Sequence, residues 1–492
     1  MKLSLIGHDY KYAVEQIMLA LFPQERPDYS PDCVAGSDEP FAESHLSFGN
    51  TYAQAVTRIR CGVKVSRGTA RVRRDRLAGK LTTDRLLQRI IKQSFFRAAA
   101  VFMENPPVWG SLTGIRPAQL AAAALESGRS DKSVAKTLTG EYYVSPERAN
   151  LCIETARTSL KVKQTLAPSD IALYVGIPFC PTRCAYCSFV SNSVEKSFGL
   201  IEPFTDALLR EIGGAAAMVN ELGLRLIAVY IGGGTPTALP ADALDAVMQA
   251  LKTSFDLSYA REYTVEAGRP DTITGQKLEI IGKHGAGRVC VNPQSMSGHV
   301  LSAIGRKHTP QDALEAAGLV RQSGMALNMD IIAGLPGDTP GGFSHTLDTV
   351  LGLEPENITV HTLALKKGSR IMLEGTALPG GGDVAQMLDG ASDRLRQSGY
   401  SPYYLYRQKF SGGFENTGWS LPGCEGLYNI FMMDELCTIL ALGGGGVTKL
   451  VSPGGKIERI FNAKYPREYI MSEEKTKDKF RRIQGFYEAT WR

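Results

Sequence analysis

The chain has 492 residues, 43% of them hydrophobic and 21% charged, and carries a net charge of +5. That length supports large cores in two or three domains, and so small a charge gives the whole molecule no general affinity for nucleic acid. The apolar start Leu3-Ser4-Leu5-Ile6 is too short for a signal peptide and no apolar run is long enough to cross a bilayer, so no membrane partner and a cytoplasmic location are expected.

Residues 1–167 read as an N-terminal α+β domain to which no role is assigned. A strand is predicted over 3–6, a hairpin over 57–65 and 69–72, and a helix over 84–102. Arg67, Arg71, Arg73, Arg74, Arg76, Lys80, Arg85, Arg89, Lys92 and Arg97 crowd this region and are read as one solvated face. The turn-rich segment 108–117 suggests no chemistry, and a linker is expected at 167–170.

From residue 171 an apolar strand, a loop and an amphipathic helix recur. Strands are predicted at 171–177, 226–231, 262–266, 288–292, 327–332 and 357–363. Helices are predicted at 204–222, 241–255, 274–284, 311–323 and 342–353. This alternation specifies βαβ units and a parallel sheet. The expected fold class is α/β: a partial six-unit (β/α) barrel over 168–375, followed by an α+β extension over 376–492.

Directly after the first strand stand Cys180-Pro-Thr-Arg-Cys184-Ala-Tyr-Cys187, three cysteines spaced C-x3-C-x2-C. Three thiolates from one loop can hold three irons of a [4Fe-4S] cube and leave the fourth iron open. A structural zinc site would need a second C-x2-C pair or a histidine pair nearby, and neither is present. The other six cysteines, Cys33, Cys61, Cys152, Cys290, Cys424 and Cys437, are scattered singly, as reduced thiols are. The seven histidines show no ligand spacing and are read as structural or surface residues.

In a parallel sheet the C-terminal strand ends form the ligand face, and unusual residues recur there. Gly232-Gly233-Gly234-Thr235-Pro236-Thr237 follows the second strand, and its bare backbone suits close approach to a ligand. Glu266 ends the third, Gln294-Ser295 follows the fourth, and Asp330 lies in the fifth ahead of Gly334-Leu335-Pro336-Gly337. No G-K-[ST] ending follows the glycine triplet, so it is not a P-loop.

Residues 171–370 resemble the radical S-adenosylmethionine (SAM) superfamily. Tyr174-Val-Gly-Ile-Pro-Phe-Cys180, the cysteine loop, Gly232–Thr237, Asn292-Pro-Gln-Ser295, Ile304-Gly-Arg-Lys-His308 and Asp330-Ile-Ile-Ala-Gly-Leu-Pro336 are similar to its oxygen-independent coproporphyrinogen III dehydrogenase family. Tyr403-Tyr-Leu-Tyr-Arg-Gln-Lys-Phe410, Gly423-Cys-Glu-Gly-Leu-Tyr-Asn429 and Gly443-Gly-Gly-Gly-Val-Thr448 extend the resemblance, which is closest to the branch with a long N-terminal extension.

The resemblance implies that Cys180, Cys184 and Cys187 ligate a [4Fe-4S] cluster whose open iron binds SAM. It implies that Tyr174, Gly233, Gly234, Thr235, Glu266, Gln294, Arg306, Asp330 and Ala364 line the SAM site, with Tyr186 shielding the adenine side. The implied reaction converts two propionates of coproporphyrinogen III to vinyl groups, giving protoporphyrinogen IX, with a low-potential donor such as flavodoxin or ferredoxin. Arg306, Arg370 and Arg407 are candidates for substrate carboxylates, and Tyr403, Tyr404, Tyr406 and Phe410 for packing on the tetrapyrrole. Phe189 stands where the best-known members carry a further cysteine, a feature shared with the related haem-chaperone branch. A haem chaperone and a radical enzyme acting on RNA are the alternative readings.

Overall fold

A computed structural model describes residues 1–29, 39–187, 192–365, 369–408 and 413–490; Cys33, Phe189 and Phe410 lie outside them. The chain divides into two compact units, one of Met1–Glu154 with Arg407–Phe414, the other of Thr155–Tyr406 with Glu415–Arg492.

In the first unit a four-stranded sheet runs in the order β1 (Lys2–Ile6), β2 (Phe41–Phe48), β3 (Tyr52–Cys61), β4 (Lys64–Arg73), with β1 and β2 parallel. One face of the strands is small and apolar (Ala42, Leu46, Ala53, Ala55, Ile59, Ala70, Val72) and packs with the apolar sides of helices Lys11–Leu21 and Lys80–Ala99. The predicted hairpin exists, but its turn is at Gly62 and Val63 rather than at 66–68. Helices Pro117–Glu126, Asp131–Tyr142 and Pro146–Lys163, which have no counterpart in the expectation, complete the helical part of the chain before the barrel.

Most of the basic residues of this unit are solvated, as expected: Arg67, Arg71, Arg73, Arg74, Arg76, Lys80, Arg85 and Arg97 are exposed, and Arg89 and Lys92 are half-buried. Half-buried Lys92 donates to Thr113 Oγ1 at 2.7 Å and Gln16 Oε1 at 3.2 Å, and desolvation pulls its pKa down to about 8. The Arg71 guanidinium lies 4.8 Å from the Tyr52 ring centre, and Arg97 donates to the Thr69 carbonyl.

The second unit is built on all six predicted strands. β5 (Asp170–Ile177), β8 (Arg225–Gly233), β9 (Glu262–Glu266), β10 (Arg288–Cys290), β11 (Ala326–Ala333) and β12 (Asn357–Thr362) lie side by side and parallel, in chain order. Short strands β6 (Phe179–Cys180) and β7 (Asn192–Ser193) pair on the loop after β5. Nearly every residue of β5 is buried, as a central parallel strand covered on both faces requires. Thr274, Thr309 and Thr339 each accept a backbone N–H three residues on, so three of the crossover helices begin at a threonine cap.

The sheet extends beyond the six expected strands. β15 (Thr438–Gly443) adds a seventh parallel strand against β5, and β16 (Val447–Val451) and β17 (Ile457–Phe461) follow antiparallel. At the other edge β14 (Glu415–Ser420) pairs antiparallel with β12, and β13 (Ser401–Arg407) lies outside it. No helix among the described residues is long and apolar enough to cross a membrane.

Candidate active site

The first two strand ends build the cysteine loop. Gly234 N–H donates to the Ile177 carbonyl at 2.7 Å and Thr235 N–H to the Phe179 carbonyl at 2.7 Å, so the glycine turn after β8 lies against the chain entering Cys180. That approach excludes side chains. A Cβ on Gly233, whose φ is +108°, would stand 2.9 Å from Ile177 N, and one on Gly234 would stand 2.4 Å from the Phe179 carbonyl oxygen and 2.9 Å from Cys180 Sγ.

Protein donors reach the sulfurs. Thr235 Oγ1 is 3.5 Å from Cys180 Sγ, and Arg269 Nη1 is 3.6 Å from Cys184 Sγ. The loop is tied down by Ala185, whose N–H donates to the Ile304 carbonyl at 2.9 Å and whose carbonyl accepts from Arg370 N–H at 3.0 Å. No three Cys, His, Asp or Glu side chains among the described residues converge as ligands of a single ion do. Three thiols that each serve a different iron need no such convergence.

Tyr186, between the second and third cysteines, packs on the apolar group of Val300, Leu301, Ile304, Ile332, Leu335 and Leu363. Its hydroxyl accepts from Arg306 Nη2 at 3.2 Å, while Arg306 Nη1 donates to the Asn292 carbonyl at 2.5 Å and the Gly268 carbonyl at 3.4 Å. Burial raises the Tyr186 pKa, and the adjacent cation only partly opposes it.

Across β8 to β12 lies a buried polar array. Glu266 accepts from the Tyr230 hydroxyl and from Asn292 Nδ2, the latter at 2.7 Å. Burial first, then the charge of Asp330, pushes its pKa up to about 7. Asp330 goes the other way. Burial would raise it, but the His361 hydrogen bond and charge, with donors Asn328 and Thr359, hold it below its ordinary value. His361 Nε2 is 3.3 Å from Asp330 Oδ2 and its Nδ1 is 3.3 Å from Asn416 Oδ1. The Asn416 amide is oriented by Thr362 N–H, which donates to Oδ1 at 3.0 Å, so an acceptor faces each imidazole nitrogen, and the Tyr406 hydroxyl lies 3.5 Å from Nδ1. Despite burial its pKa is raised.

Tyr174 stacks with Tyr230 and Tyr428, with ring centres 6.5 and 6.1 Å away, and burial together with Glu266 raises its pKa. Gln294 adopts φ +66°, which lets its N–H donate to the Asp330 carbonyl and its carbonyl accept from Ile332 N–H, both at 3.0 Å. Gln294 Oε1 and Asn292 Oδ1 are buried without a hydrogen-bond partner. Two orphaned acceptors at one rim fit a cofactor rich in amino and hydroxyl donors. Ala364 follows β12, half-buried.

The other substrate candidates fare differently. Arg407 is occupied: it donates to the Gly413 carbonyl at 2.7 and 3.0 Å and to the Leu112 carbonyl, and covers the Trp109 ring. Tyr403 and Tyr404 are core residues, with Tyr403 packed over Gly426 and Tyr404 over Gly418. Arg370 stays at the cysteine loop, with its side chain half exposed and paired to Glu374 at 3.4 Å. Sequence reasoning missed Arg269, Tyr230 and His361. Tyr230 and His361 left a signal: Tyr230 is in register with Tyr174 and with Thr264, two residues before Glu266, and His361 lies two residues beyond Thr359, the residue in register with Asp330, so each points to the side of the sheet that carries the site.

The radical SAM superfamily pattern matches residues 174–350. The oxygen-independent coproporphyrinogen-III oxidase-like protein HemZ of Bacillus subtilis (strain 168) is 39% identical over 391 residues, 78% of each chain. The heme chaperone HemW of Escherichia coli (strain K12) is 24% identical over 303 residues, 61% of this chain and 75% of that one. Among solved structures, coproporphyrinogen III oxidase (HemN) from Escherichia coli superposes with a TM-score of 0.52 at 21% identity, over 64% of this chain and 72% of that one, a likeness of fold. The superfamily's cofactors are a [4Fe-4S] cluster and SAM. With 39% identity across 78% of both chains, this chain belongs to the coproporphyrinogen-III oxidase-like family of radical SAM proteins.

Proposed function

We propose that the protein is a SAM-dependent oxidoreductase that decarboxylates two propionates of coproporphyrinogen III to vinyl groups in tetrapyrrole synthesis. The observation that carries the reading is the shared rim: the cysteine loop and glycine turn stand at the same strand ends as Glu266, Asn292, Gln294, Arg306 and Asp330. Extended similarity to a coproporphyrinogen-III oxidase-like relative supports the substrate class.

In this reading Cys180, Cys184 and Cys187 hold the cluster, and Thr235 and Arg269 donate to two of their sulfurs. When bound, the reduced cluster and SAM together supply a 5'-deoxyadenosyl radical for hydrogen abstraction from the substrate. The protein's contribution is placement. Asp330, kept ionised by His361, offers acceptor oxygens for the cofactor's hydroxyls, and the orphaned oxygens of Asn292 and Gln294 take further donors. Glu266 is held in place by Tyr230 on one oxygen and Asn292 on the other, and each oxygen keeps a lone pair for a donor of the cofactor. Tyr174 and Tyr230 stack beside Glu266 as aromatic surface, and Arg370 at the cysteine loop offers a cation for a substrate carboxylate. A low-potential donor such as flavodoxin or ferredoxin supplies the electron.

The test is an anaerobic incubation of the reconstituted protein with coproporphyrinogen III, SAM and a reductant. The reading expects vinyl-porphyrin formation coupled to methionine and 5'-deoxyadenosine release. Tight haem binding and transfer, with SAM cleavage indifferent to the porphyrinogen, would instead establish the chaperone role named in the HemW relatives.

A further inference from the structure

Arg269 sits in the turn after β9 and is almost wholly buried, its side chain 3% exposed. Its guanidinium is used on two sides. Nε and Nη2 donate to Asp271 Oδ1 and Oδ2 at 3.1 and 3.2 Å, a two-point clamp that fixes the plane of the group. Nη1, outside that clamp, carries two hydrogens and meets two acceptors on the cysteine loop, Thr182 Oγ1 at 3.1 Å and Cys184 Sγ at 3.6 Å. The 3.6 Å separation is a hydrogen-bond distance for the large sulfur atom. The turn is itself held by its backbone, since Thr272 N–H and Thr272 Oγ1 both donate to the Arg269 carbonyl, at 3.0 and 2.8 Å.

From this geometry we infer that Arg269 sets the reduction potential of the cluster by donating an N–H to the Cys184 thiolate. The inference rests on Cys184 being a cluster ligand. A cluster gains one negative charge on reduction, and part of that charge resides on the ligand sulfurs, so a donor aimed at a sulfur stabilises the reduced form and raises the potential. Asp271 balances the charge of Arg269, but it lies on the Nε–Nη2 edge, and Nη1 is the nitrogen that faces the sulfur. Lysine cannot replace the residue, because one ammonium cannot keep a two-point clamp on Asp271 and also reach the loop.

The experiment is an anaerobic redox titration of the reconstituted full-length protein without SAM, followed by electron paramagnetic resonance. Arg269→Met and Arg269→Lys should load as much iron and sulfide as the parent and titrate at a more negative midpoint, with the methionine variant shifted further. The parent is also prepared with guanidino-15N-arginine, and its reduced cluster should show a 15N coupling that disappears in Arg269→Met. If neither variant loads a cluster, the labelled measurement is made on Arg306→Lys, where the coupling should persist because Arg269 remains, and its loss there overturns the inference. An unmoved midpoint in loaded variants, or no 15N coupling in the parent, overturns the inference. A parent that loads no cluster with its three loop cysteines intact overturns instead the ligand assignment on which it rests.

Discussion

Lys479 and Glu211 form a buried ion pair, each side chain 2% exposed, between helix Glu473–Thr490 and helix Ile201–Glu221. Glu211 Oε2 also accepts from Gly443 N–H at 2.8 Å and from the Tyr469 hydroxyl, and Oε1 from Asn462 Nδ2 at 3.1 Å. Lys479 Nζ donates in addition to the Ala441 carbonyl at 3.0 Å and to Asn462 Oδ1 at 3.1 Å. The pair therefore holds the end of β15, whose Gly443 is in register with Gly176 of β5, four residues before Cys180. Removing one member of a buried pair costs roughly 3–5 kcal/mol. In Lys479→Met the stranded carboxylate keeps three neutral donors, so the expected cost lies near the lower limit, about 3 kcal/mol. Peptide-resolved hydrogen exchange of residues 438–443 should then lose protection by roughly 100-fold. The double variant Glu211→Gln, Lys479→Met should recover more than half of the loss, because no unpaired charge remains. Protection unchanged within threefold in the single variant, or a double variant as damaged as the single one, would refute the reasoning.

Replacing Cys180, Cys184 or Cys187 by Ala should abolish the cluster and SAM cleavage, whereas Cys290, Cys424 and Cys437 should be dispensable for both; iron analysis and methionine release decide. Asp330→Ala and Glu266→Ala should retain iron and weaken SAM binding by about 1–3 kcal/mol, read by calorimetry, and unchanged affinity in both would remove them from the site. Glu266 also predicts a pH dependence. Its folded pKa of about 7 lies above the ordinary carboxylate value, so the folded state holds an extra proton and stability is lost as pH rises toward 7, by up to about 3 kcal/mol. His361 acts in the same direction: its contribution is complete below its ordinary value and is lost as pH rises through its raised one. Thermal unfolding of the metal-free protein should thus occur at lower temperature at pH 7.5 than at pH 5.5, with a smaller difference in Glu266→Gln; identical pH profiles would contradict the assignment.

The cysteine loop was legible because its information is local: eight residues of spacing suffice to imply three thiolates on one cluster. The six barrel strands were legible because fully buried parallel strands are apolar runs, and Glu266 and Asp330 stood out as charges within them. Arg269 was not, since an arginine beside proline in a turn reads as surface until the fold brings residue 182 and residue 184 to it. Lys479 and Glu211 are 268 positions apart, and each alone resembles a solvated helix charge. The misplaced hairpin turn has a steric origin. Gly68 is not a turn residue but a contact point, where a Cβ would stand 2.0 Å from the Ser94 carbonyl oxygen of the helix packed on β4. The parallel strand β15 escaped notice because its partner β5 lies more than 260 residues earlier in the chain.

The central claim is that this cluster-bearing rim abstracts hydrogen from a tetrapyrrole propionate, and an isotope experiment tests it most directly. Coproporphyrinogen III deuterated at the propionate β-carbons is supplied anaerobically with SAM and a low-potential reductant, and the released 5'-deoxyadenosine is weighed by mass spectrometry. The account predicts deuterium in the 5'-deoxyadenosine in step with vinyl product. Undeuterated 5'-deoxyadenosine from a fully loaded protein, with the propionates intact, would contradict it.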